Sequence, residues 1–398
     1  MNLVFFAHPL FLEQQSMARY VTLLADGMKK RGHVVEVWHP KACFFHLGFN
    51  AFTKKWLGYI DQYMLFPLNF NRLIRKLPLD TLFIFTDHAM GPWVIHLHRR
   101  MHVIHCHDFL AQLSGSGRLP GHQTGWTGQK YQSYIKWGYT KGTNFISVSE
   151  KTRRDLHLFL TSEPSISTVV YNGLNHIFCT TDKTWAREML GKAANLTLAD
   201  GYLLHVGSNL WYKNRMGVIE IYNAWREMSK QHYPLLMIGQ KPDNDLIQAQ
   251  KQSAFANDIH FLTHITDELL VAAYAGAWVL IFPSYAEGFG WPVAEAMASG
   301  CPVITTNEPP MTEVAGTAGF FIPKRPFGQS AVLEWAQHAG KLIDSIIGLS
   351  EDEYNRVVES GLENAKRFDM ETALNDIEKI YTGIINATHV RGPQTVIN

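Results

Sequence analysis

The feature that most constrains the fold of this chain is a repeated alternation of short apolar runs with amphipathic helical segments. The run LVFFAHP predicts a buried strand, and the segment after it predicts a helix with apolar positions on one face. These positions are Met17, Tyr20, Val21, Leu24 and Met28. The runs VVEVWHP, TLFIFTD, HVIHCHD, FISVS and STVVYNG predict further strands. Because strands that alternate with helices favour a parallel sheet with crossover helices, the first half predicts a doubly wound α/β domain.

The same alternation begins again near residue 202. The predicted strands are YLLHVGS, PLLMIGQ, DIHFLTH, VLIFPS and PVITTN, and the predicted helices are RMGVIEIYNAWREMSK, DELLVAAYAGA and PVAEAMAS. A chain of 398 residues is long enough for two domains with separate cores. We therefore predict domains at 1–173 and 174–370, with a linker within about 174–200. Ligands bind beyond the carboxyl ends of strands in such sheets, so functional residues are expected in the loops after strands.

The composition predicts a globular chain without export or membrane signals. Hydrophobic residues make up 46% and charged residues 18%, which excludes a disordered protein. The four cysteines contain no CxxC pair, so we expect a reducing compartment rather than a disulfide framework. The N-terminal MNLVFFAHP lacks the features of a signal peptide, and no apolar run reaches the roughly 18 residues of a membrane span. We expect a cytoplasmic protein without a nucleic-acid partner.

The net charge of +1 hides an asymmetry between the two halves. Residues 1–150 contain 16 Lys and Arg against 8 Asp and Glu, whereas residues 151–398 contain 20 against 27. Within the basic half, the segment 52–78 mixes aromatic with basic side chains. They are Trp56, Tyr59, Tyr63, Phe66 and Phe70, with Lys54, Lys55, Arg72, Arg75 and Lys76. The mixture is typical of a segment at the interface of an anionic membrane, although a core helix with a solvated basic end fits it equally well.

The segment EGFGWPVAEAMASG, residues 287–300, indicates a ligand site at the start of a helix. Pro292 suits the first helical turn and Gly300 the helix end, while the free N–H groups at the start attract an anion. Glu287 lies before this helix and Glu295 inside it. A carboxylate beside an anion site is repulsive unless it binds another part of the ligand, and a nucleotide-sugar, with its diphosphate and hydroxyls, satisfies both demands. Two glutamates at this spacing also occur by chance, so the flanking residues must decide.

The flanking residues resemble those of retaining glycosyltransferases of family 4, which have the two-domain GT-B fold and an E-x7-E motif. The resemblance is carried by FPSYAEGFGWPVAEAMASGCPVITTNEPPMTEVAG, LLHVGSNLWYKN, FISVSEKTRRDL, VVYNGLN and ENAKRFDMETALNDIEKIY. It implies two Rossmann-like domains that face each other across a cleft, with the nucleotide-sugar bound by the domain at 174–370. It also implies that a helix at about 371–398 crosses back to the acceptor-side domain at 1–173.

The resemblance also implies which residues bind the donor. The set comprises Ser208, Lys213, Gly239, His264, Ile265, Glu287, Gly288, Phe289, Gly290 and Glu295. Glu295 would hold the ribose, Glu287 the donor sugar near the reacting carbon, and Lys213 the diphosphate, with help from the backbone at 288–290. Gly239, His264 and Ile265 would lie near the base, although a core position is an equal alternative for Ile265. Tyr212 stands where the family often has arginine, and no DxD motif is present, so we predict transfer without a metal.

The segment HLHRRMHVIHCHD contains five histidines and contributes to the predicted acceptor side. On a strand, His105 and His107 would share one face, and Asp108 could complete a metal site. The resemblance implies instead that the histidine of a strand ending in His-Asp faces the donor sugar and acceptor, which assigns that role to His107. A purely structural histidine is the third alternative. Gln15 and Ser16 stand where the family has Gly-Gly, so the acceptor geometry is expected to differ.

The implied function is a retaining transfer of a hexose from a nucleotide-diphosphate sugar to a hydroxyl of a glycan or lipid-linked sugar in polysaccharide biosynthesis. Family frequency favours a UDP-sugar such as UDP-glucose, with Lys213, Glu287 and His107 as catalytic residues and no cofactor. Two alternatives remain. One is another enzyme of the same fold, a sugar-nucleotide epimerase or a phosphorylase, and the other is a non-catalytic nucleotide-sugar-binding protein. The basic segment adds the expectation of a peripheral position at the inner face of the membrane.

Overall fold

The computed structural model describes residues 1–12, 15–119 and 122–390, and the chain divides into two compact units. Unit 1 combines Met1–Tyr171 with the C-terminal segment that begins at Glu371, and unit 2 is the continuous stretch Asn172–Met370. The last part of the chain thus belongs to the unit that contains the first part. Among the described helices, none is long and apolar enough to cross a membrane.

Unit 1 is built on a six-stranded parallel sheet with the strand order β2-β1-β3-β4-β5-β6. Its strands are β1 (Asn2–Phe6), β2 (Val34–Trp38), β3 (Leu82–Phe85), β4 (His102–Cys106), β5 (Asn144–Ser147) and β6 (Ile166–Val169). Its helices are α1 (Gln15–Lys30), α2 (Ala51–Ile60), α3 (Phe66–Ile74), α4 (Gly91–Val94), α5 (Leu110–Gly115), α6 (Trp126–Tyr139) and α7 (Glu150–His157), and the C-terminal helix Met370–Val390 completes them. The strands β3 and β4 are buried along their whole length, as expected of a parallel sheet covered on both faces.

Unit 2 is built on a second six-stranded parallel sheet with the order β12-β11-β10-β7-β8-β9. Its strands are β7 (Leu203–Gly207), β8 (Leu235–Gly239), β9 (Ile259–Leu262), β10 (Val279–Phe282), β11 (Val303–Thr306) and β12 (Phe320–Ile322). Its helices are α8 (Lys183–Ala194), α9 (Arg215–Met228), α10 (Asn244–Gln252), α11 (Asp267–Gly276), α12 (Trp291–Ala298), α13 (Met311–Ala315), α14 (Gln329–Ile347) and α15 (Glu351–Ala365). The helix Met370–Val390 is therefore α16. The core of unit 2 contains the buried Tyr222, Trp225 and Trp335.

The order of the second sheet places a topological switch point between β7 and β10. The chain moves from β7 through α9 to β8 in one direction along the sheet, and from β10 through α12 to β11 in the other. Because such crossovers are right-handed, α9 and α12 lie on opposite faces of the sheet, and the loops after β7 and β10 diverge at its carboxyl edge. Ligands of open α/β sheets bind at this position.

Helix α16 is part of unit 1 through polar contacts with the start of the chain. Arg31 donates from Nη2 to the Glu371 carboxylate at 2.5 Å, and His33 Nε2 lies 2.6 Å from Glu378 Oε1. Deeper in the unit, the hydroxyl of Tyr381 lies 2.8 Å from His105 Nε2 on β4. The first unit therefore contains hydrogen bonds between residues more than 270 positions apart in sequence.

The predicted α/β architecture with two doubly wound sheets is confirmed. Each of the eleven predicted strand runs contains one strand, and β12 was missed. This strand has three residues, Phe320–Ile322, which is too short for a period-2 pattern to emerge. The apolar face predicted for α1 is also present, since Val21, Leu24 and Met28 are buried.

The aromatic segment 52–78 divides between core and surface. It forms α2, a π-helical turn at Asp61–Leu65, and α3. Phe66 and Phe70 are buried against Phe6 and Trp93, so the interpretation of these two rings as interfacial was wrong. Trp56 on α2 is 49% exposed. The sequence pattern could not separate the two sets because it does not show which helix face the sheet covers.

Candidate active site

Two opposite charges meet at the switch point of the second sheet. Lys213 ends a 3-10 turn, Trp211–Lys213, in the loop after β7, and Glu287 lies in the loop between β10 and α12. The Lys213 ammonium donates to both carboxylate oxygens of Glu287, at 2.8 and 2.9 Å. The two side chains are only 15% and 8% exposed. The structure thus brings together two predicted donor-site residues that are 74 positions apart in sequence.

The loop that carries Lys213 is fixed by contacts with the loop after β10. Asn214 adopts a left-handed backbone with φ of 50°, which asparagine tolerates better than most residues. Its side-chain amide donates to the Pro283 carbonyl at 2.9 Å, and its side-chain oxygen accepts from the Gly217 N–H at the start of α9. The Tyr285 N–H donates to the Tyr212 carbonyl at 2.7 Å. These contacts join the two loops on both sides of Lys213 and so hold it close to the loop that contains Glu287.

Helix α12 begins next to this pair. Gly290 precedes the helix with φ of 106°, a backbone conformation that a residue with a side chain rarely adopts. Pro292 lies in the first turn, where its missing N–H costs no hydrogen bond. Gly288, Phe289 and Gly290 therefore lead into a helix start whose first N–H groups face outward along the axis, as an anion requires.

Glu295 lies inside α12 and is buried. It is 5% exposed, and its Oε2 accepts a hydrogen bond of 2.9 Å from the hydroxyl of Tyr274 on α11. Its neighbours Ala294, Ala296 and Met297 are buried apolar residues. Glu295 is therefore not an ordinary surface residue of the helix.

The remaining predicted donor residues lie in the loops after β7, β8 and β9. Gly239, at the end of β8, has φ of 150°, and a Cβ atom there would lie 1.9 Å from the Gly207 carbonyl oxygen on β7. Only glycine fits this close approach. Ser208 follows Gly207 and is half-buried. His264 is exposed with φ of 57°, and Ile265 beside it is half-buried, so Ile265 is not a fully enclosed core residue.

In unit 1, His107 follows β4 and is oriented by two neighbours. Its Nε2 lies 2.9 Å from the Thr86 carbonyl oxygen, so Nε2 carries the hydrogen and donates it, and Nδ1 retains a lone pair. The ring of Tyr20 on α1 meets the His107 ring edge to face at 4.5 Å. Burial lowers the pKa of His107 and outweighs the opposing effect of Asp87. The imidazole is therefore held neutral, in one tautomer, at a strand end.

The structure adds a cluster near His107 that the sequence analysis missed. His8 follows β1, and Asp87 and His88 follow β3. His8 Nε2 lies 2.9 Å from Asp87 Oδ2, and His88 Nδ1 lies 2.9 Å from Asp87 Oδ1. Burial alone would raise the pKa of Asp87. The positive charge of the two histidines and their hydrogen bonds to the carboxylate have the larger effect, and they hold the pKa well below its usual value. The signal was present, since FAHP and FTDH both place polar residues directly after predicted strands.

The histidine-rich segment contributes structure more than ligands. Both ring nitrogens of His105 are occupied, Nδ1 by the Tyr20 hydroxyl and Nε2 by the Tyr381 hydroxyl, each at 2.8 Å. His102 Nδ1 lies 2.8 Å from the Arg100 carbonyl, and its Nε2 accepts from the Thr143 N–H. Within the described residues, no group of three or more His, Cys, Asp or Glu side chains is arranged to hold a metal ion.

Asp108, Gln15 and Ser16 are the other residues predicted for the acceptor side. The Asp108 carboxylate accepts a hydrogen bond of 3.0 Å from the N–H of Leu110, the first residue of α5. Gln15 and Ser16 form the first residues of α1, but their side chains lie outside the described part of the chain. The predicted effect of these two residues on the acceptor geometry therefore stays a prediction.

Two Rossmann-like units, each with its polar residues at the carboxyl edge of a parallel sheet, define a protein of the GT-B class. The solved structures that resemble it have this architecture. Sucrose-phosphate synthase from Thermosynechococcus elongatus matches with a TM-score of 0.72 and 17% identity, covering 98% of this chain and 100% of that one. HepE from Anabaena, solved with UDP and glucose, matches with a TM-score of 0.70 and 16% identity, covering 96% of this chain and all of that one.

The sequence profiles of two glycosyltransferase families match adjacent parts of the chain. The profile described as Glycosyltransferase Family 4 matches residues 17–177, and the profile described as Glycosyl transferases group 1 matches residues 191–335. Together they cover both units, and the chain belongs to the family 4, group 1 glycosyltransferases.

Two mannosyltransferases are similar to this chain over shorter stretches. O-antigen chain mannosyltransferase B of Escherichia coli is 35% identical over 121 residues, which are 30% of this chain and 32% of that protein. O-antigen chain mannosyltransferase RfbU of Salmonella typhimurium is 30% identical over 125 residues, which are 31% and 34% of the two chains. The chain thus matches about a third of the length of these relatives.

Proposed function

We propose that this protein is a retaining glycosyltransferase that moves a hexose from a nucleotide-diphosphate sugar to a hydroxyl of a glycan or lipid-linked sugar in polysaccharide biosynthesis. The observation that carries the proposal is the geometry around α12. A lysine, a helix start and two buried carboxylates occupy one switch point, and these are the groups that a diphosphate and two sets of sugar hydroxyls require. Lys213 would hold the diphosphate, Glu287 the donor sugar and Glu295 the ribose.

A UDP-sugar, UDP-glucose in the first place, is the donor that we propose. HepE, which has the same fold, was solved with UDP and glucose and with UDP-glucose. The O-antigen mannosyltransferases among the relatives support a hexose as the transferred group and a glycan as the acceptor. Gly239, His264 and Ile265 would form the wall for the base, and the ribose contact of Glu295 would be common to UDP and GDP donors.

In the proposed reaction, the acceptor oxygen bonds to the anomeric carbon on the same face of the sugar from which the diphosphate leaves. The departing phosphate oxygen takes the proton of the acceptor hydroxyl, so no protein carboxylate is needed as a nucleophile. Lys213 and the N–H groups at the α12 start stabilise the charge that develops on the phosphate. Glu287 would stabilise the positive charge that develops on the sugar ring. These groups carry the proposed transfer without a metal.

On the acceptor side, we assign to His107 the contact with the donor sugar and the acceptor. Its Nδ1 lone pair is an acceptor for a sugar hydroxyl, because Nε2 is already used by the Thr86 carbonyl. The half-buried position after β4 and the neutral tautomer support hydrogen bonding rather than charge stabilisation. Asp108 would support the adjacent loop.

We further propose that the protein is cytoplasmic and associates reversibly with the inner face of an anionic membrane, where a lipid-linked acceptor is found. The support is the surface of α2, where Phe52 is 69% and Trp56 49% exposed and the neighbouring Lys54 and Lys55 are exposed. The helix sequence AFTKKWLGYI contains no acidic residue. Exposed rings with adjacent cations suit the headgroup region of an anionic bilayer.

Product analysis tests the proposed activity. The purified protein is incubated with UDP-glucose, other UDP-hexoses and GDP-mannose, each with and without EDTA, together with a membrane extract as the acceptor. Transfer predicts UDP release coupled to a new α-glycoside that forms equally in EDTA. An epimerised nucleotide-sugar, or a sugar phosphate that requires inorganic phosphate, would establish the rival enzyme classes. Donor binding with no turnover, not even slow hydrolysis, would identify a non-catalytic binding protein.

A further inference from the structure

Glu295 is a buried carboxylate on a helix face that is otherwise apolar. A carboxylate in such a position is destabilising unless hydrogen-bond donors surround it. One of these donors is the hydroxyl of Tyr274, 2.9 Å from Oε2. Tyr274 is fully buried on α11, and Phe178 packs edge to face against its ring at 6.0 Å. The contact joins two helices, and one of its ends is the residue assigned to the ribose.

A second buried tyrosine in the same region shows what a purely structural hydroxyl does. Tyr202 is also fully buried, and its hydroxyl donates to the backbone carbonyl of Ala273 on α11 at 2.8 Å. This hydrogen bond ties α11 to the segment before β7 and ends at the backbone. Tyr274 follows Ala273 on α11, but the Tyr274 hydroxyl donates to the Glu295 carboxylate, to which the proposed function assigns the ribose. The two tyrosines therefore have equal burial and different targets.

We propose that Tyr274 is a positioning residue for nucleotide binding, because its hydroxyl fixes the plane of the Glu295 carboxylate before the ribose arrives. This inference rests on the proposed role of Glu295. A carboxylate that is held in one orientation loses less freedom when it accepts from two vicinal hydroxyls. Because Tyr274 is fully buried, Tyr274→Phe leaves Glu295 Oε2 without this donor. The ring and its packing against Phe178 stay unchanged.

The test compares UDP binding by calorimetry in the wild type, Tyr274→Phe, Glu295→Ala and the double variant. Tyr202→Phe is the matched control, since it removes a hydroxyl of equal burial from the same helix environment. We expect Tyr274→Phe to raise the UDP dissociation constant about tenfold, in the range of one hydrogen bond to a charged group. Tyr202→Phe should leave it unchanged, even if both variants melt at a lower temperature.

Two further readouts separate positioning from a general structural effect. The double variant should bind UDP no more weakly than Glu295→Ala, because Tyr274 acts through Glu295. The loss caused by Tyr274→Phe should also be smaller for 2′-deoxy-UDP, which lacks one hydroxyl of the ribose diol. In steady-state kinetics, the KM for the donor should rise while kcat stays close to that of the wild type, as expected for loss of uniform binding.

The outcomes distinguish this inference from the function on which it rests. If Glu295→Ala weakens UDP binding and Tyr274→Phe does not, Tyr274 has no positioning role and the ribose role of Glu295 stands. Additive losses in the double variant, or equal losses for UDP and 2′-deoxy-UDP, would overturn the inference in the same way. Unchanged UDP binding by Glu295→Ala would remove the ribose assignment and the Tyr274 role together.

Discussion

Lys213 and Glu287 form a bidentate ion pair, with both carboxylate oxygens within 2.9 Å of the ammonium. In the proposed function, each partner has its own target on the donor. Donor binding therefore exchanges one ion pair for two new interactions, with the ammonium turned towards the diphosphate and the carboxylate towards the sugar. Both side chains are poorly exposed, so either charge without its partner would be destabilising.

This exchange predicts the effect of removing the carboxylate. In Glu287→Ala the ammonium of Lys213 has lost its partner, so the diphosphate of UDP meets an uncompensated positive charge. We expect UDP to bind at least as tightly as to the wild type, while turnover of the sugar donor falls about 10²–10³-fold. Calorimetry with UDP and initial rates with UDP-glucose measure the two effects. A loss of UDP affinity as large as that of Glu295→Ala would contradict the separate roles.

Removing the cation should also lower turnover. Lys213→Ala takes away the charge that stabilises the departing diphosphate, so we expect kcat to fall about 10²–10³-fold. Lys251→Ala, which changes an exposed lysine of the same unit, is the matched control and should retain full turnover. Tyr212→Arg would supply the cation that the family often has at this position and should tighten UDP binding. Near-normal turnover by Lys213→Ala would remove this residue from the mechanism.

The buried His105 predicts how acid affects stability. Burial, with a smaller contribution from His107, lowers the pKa of His105 from 6.5 to about 3. As the pH falls below 6.5, the unfolded chain binds a proton that the folded chain does not, so the folded state loses stability. Between about pH 6.5 and 3 this costs about 1.4 kcal/mol per pH unit. Urea unfolding at about pH 7, 6 and 5 measures the slope, which should be shallower in His105→Gln and unchanged in His46→Gln, whose histidine is exposed. Equal slopes in all three proteins would show that His105 is not the group responsible.

The surface of α2 predicts salt-dependent membrane binding. Each basic residue near an anionic bilayer contributes about 1 kcal/mol, and salt screens the attraction. We expect sedimentation with anionic vesicles at low salt, weaker sedimentation at high salt, and none with neutral vesicles. Lys54→Ala with Lys55→Ala should reduce it, whereas Lys29→Ala with Lys30→Ala, an adjacent exposed pair of the same unit, should not. Recovery in the supernatant under all conditions would favour a soluble acceptor.

The sequence predicted the inner strands well because a parallel strand that is buried on both faces has a continuous apolar run, as β3 and β10 do. The resemblance to family 4 glycosyltransferases, not the hydrophobic pattern, implied that Lys213, Glu287 and Glu295 belong to one donor site, and the structure brings Lys213 and Glu287 within 2.9 Å of each other. The sequence could not predict the Lys213–Glu287 ion pair or the Tyr274 hydrogen bond, which depend on side-chain directions across different elements. The cluster of His8, Asp87 and His88 was missed for a related reason, because its members follow two strands that are neighbours only in the sheet.

The placement of α16 has a consequence for synthesis. Unit 2 is a continuous stretch, whereas unit 1 lacks its last helix until Tyr381 and its neighbours have been made. During translation, the first unit is begun first and finished last, after the second unit is complete. The hydrogen bond between Tyr381 and His105 is therefore a contact that no nascent chain ending before Tyr381 can form. A ribosome-bound chain at this stage has a complete unit 2, whereas unit 1 still lacks Tyr381 and the helix that contains it.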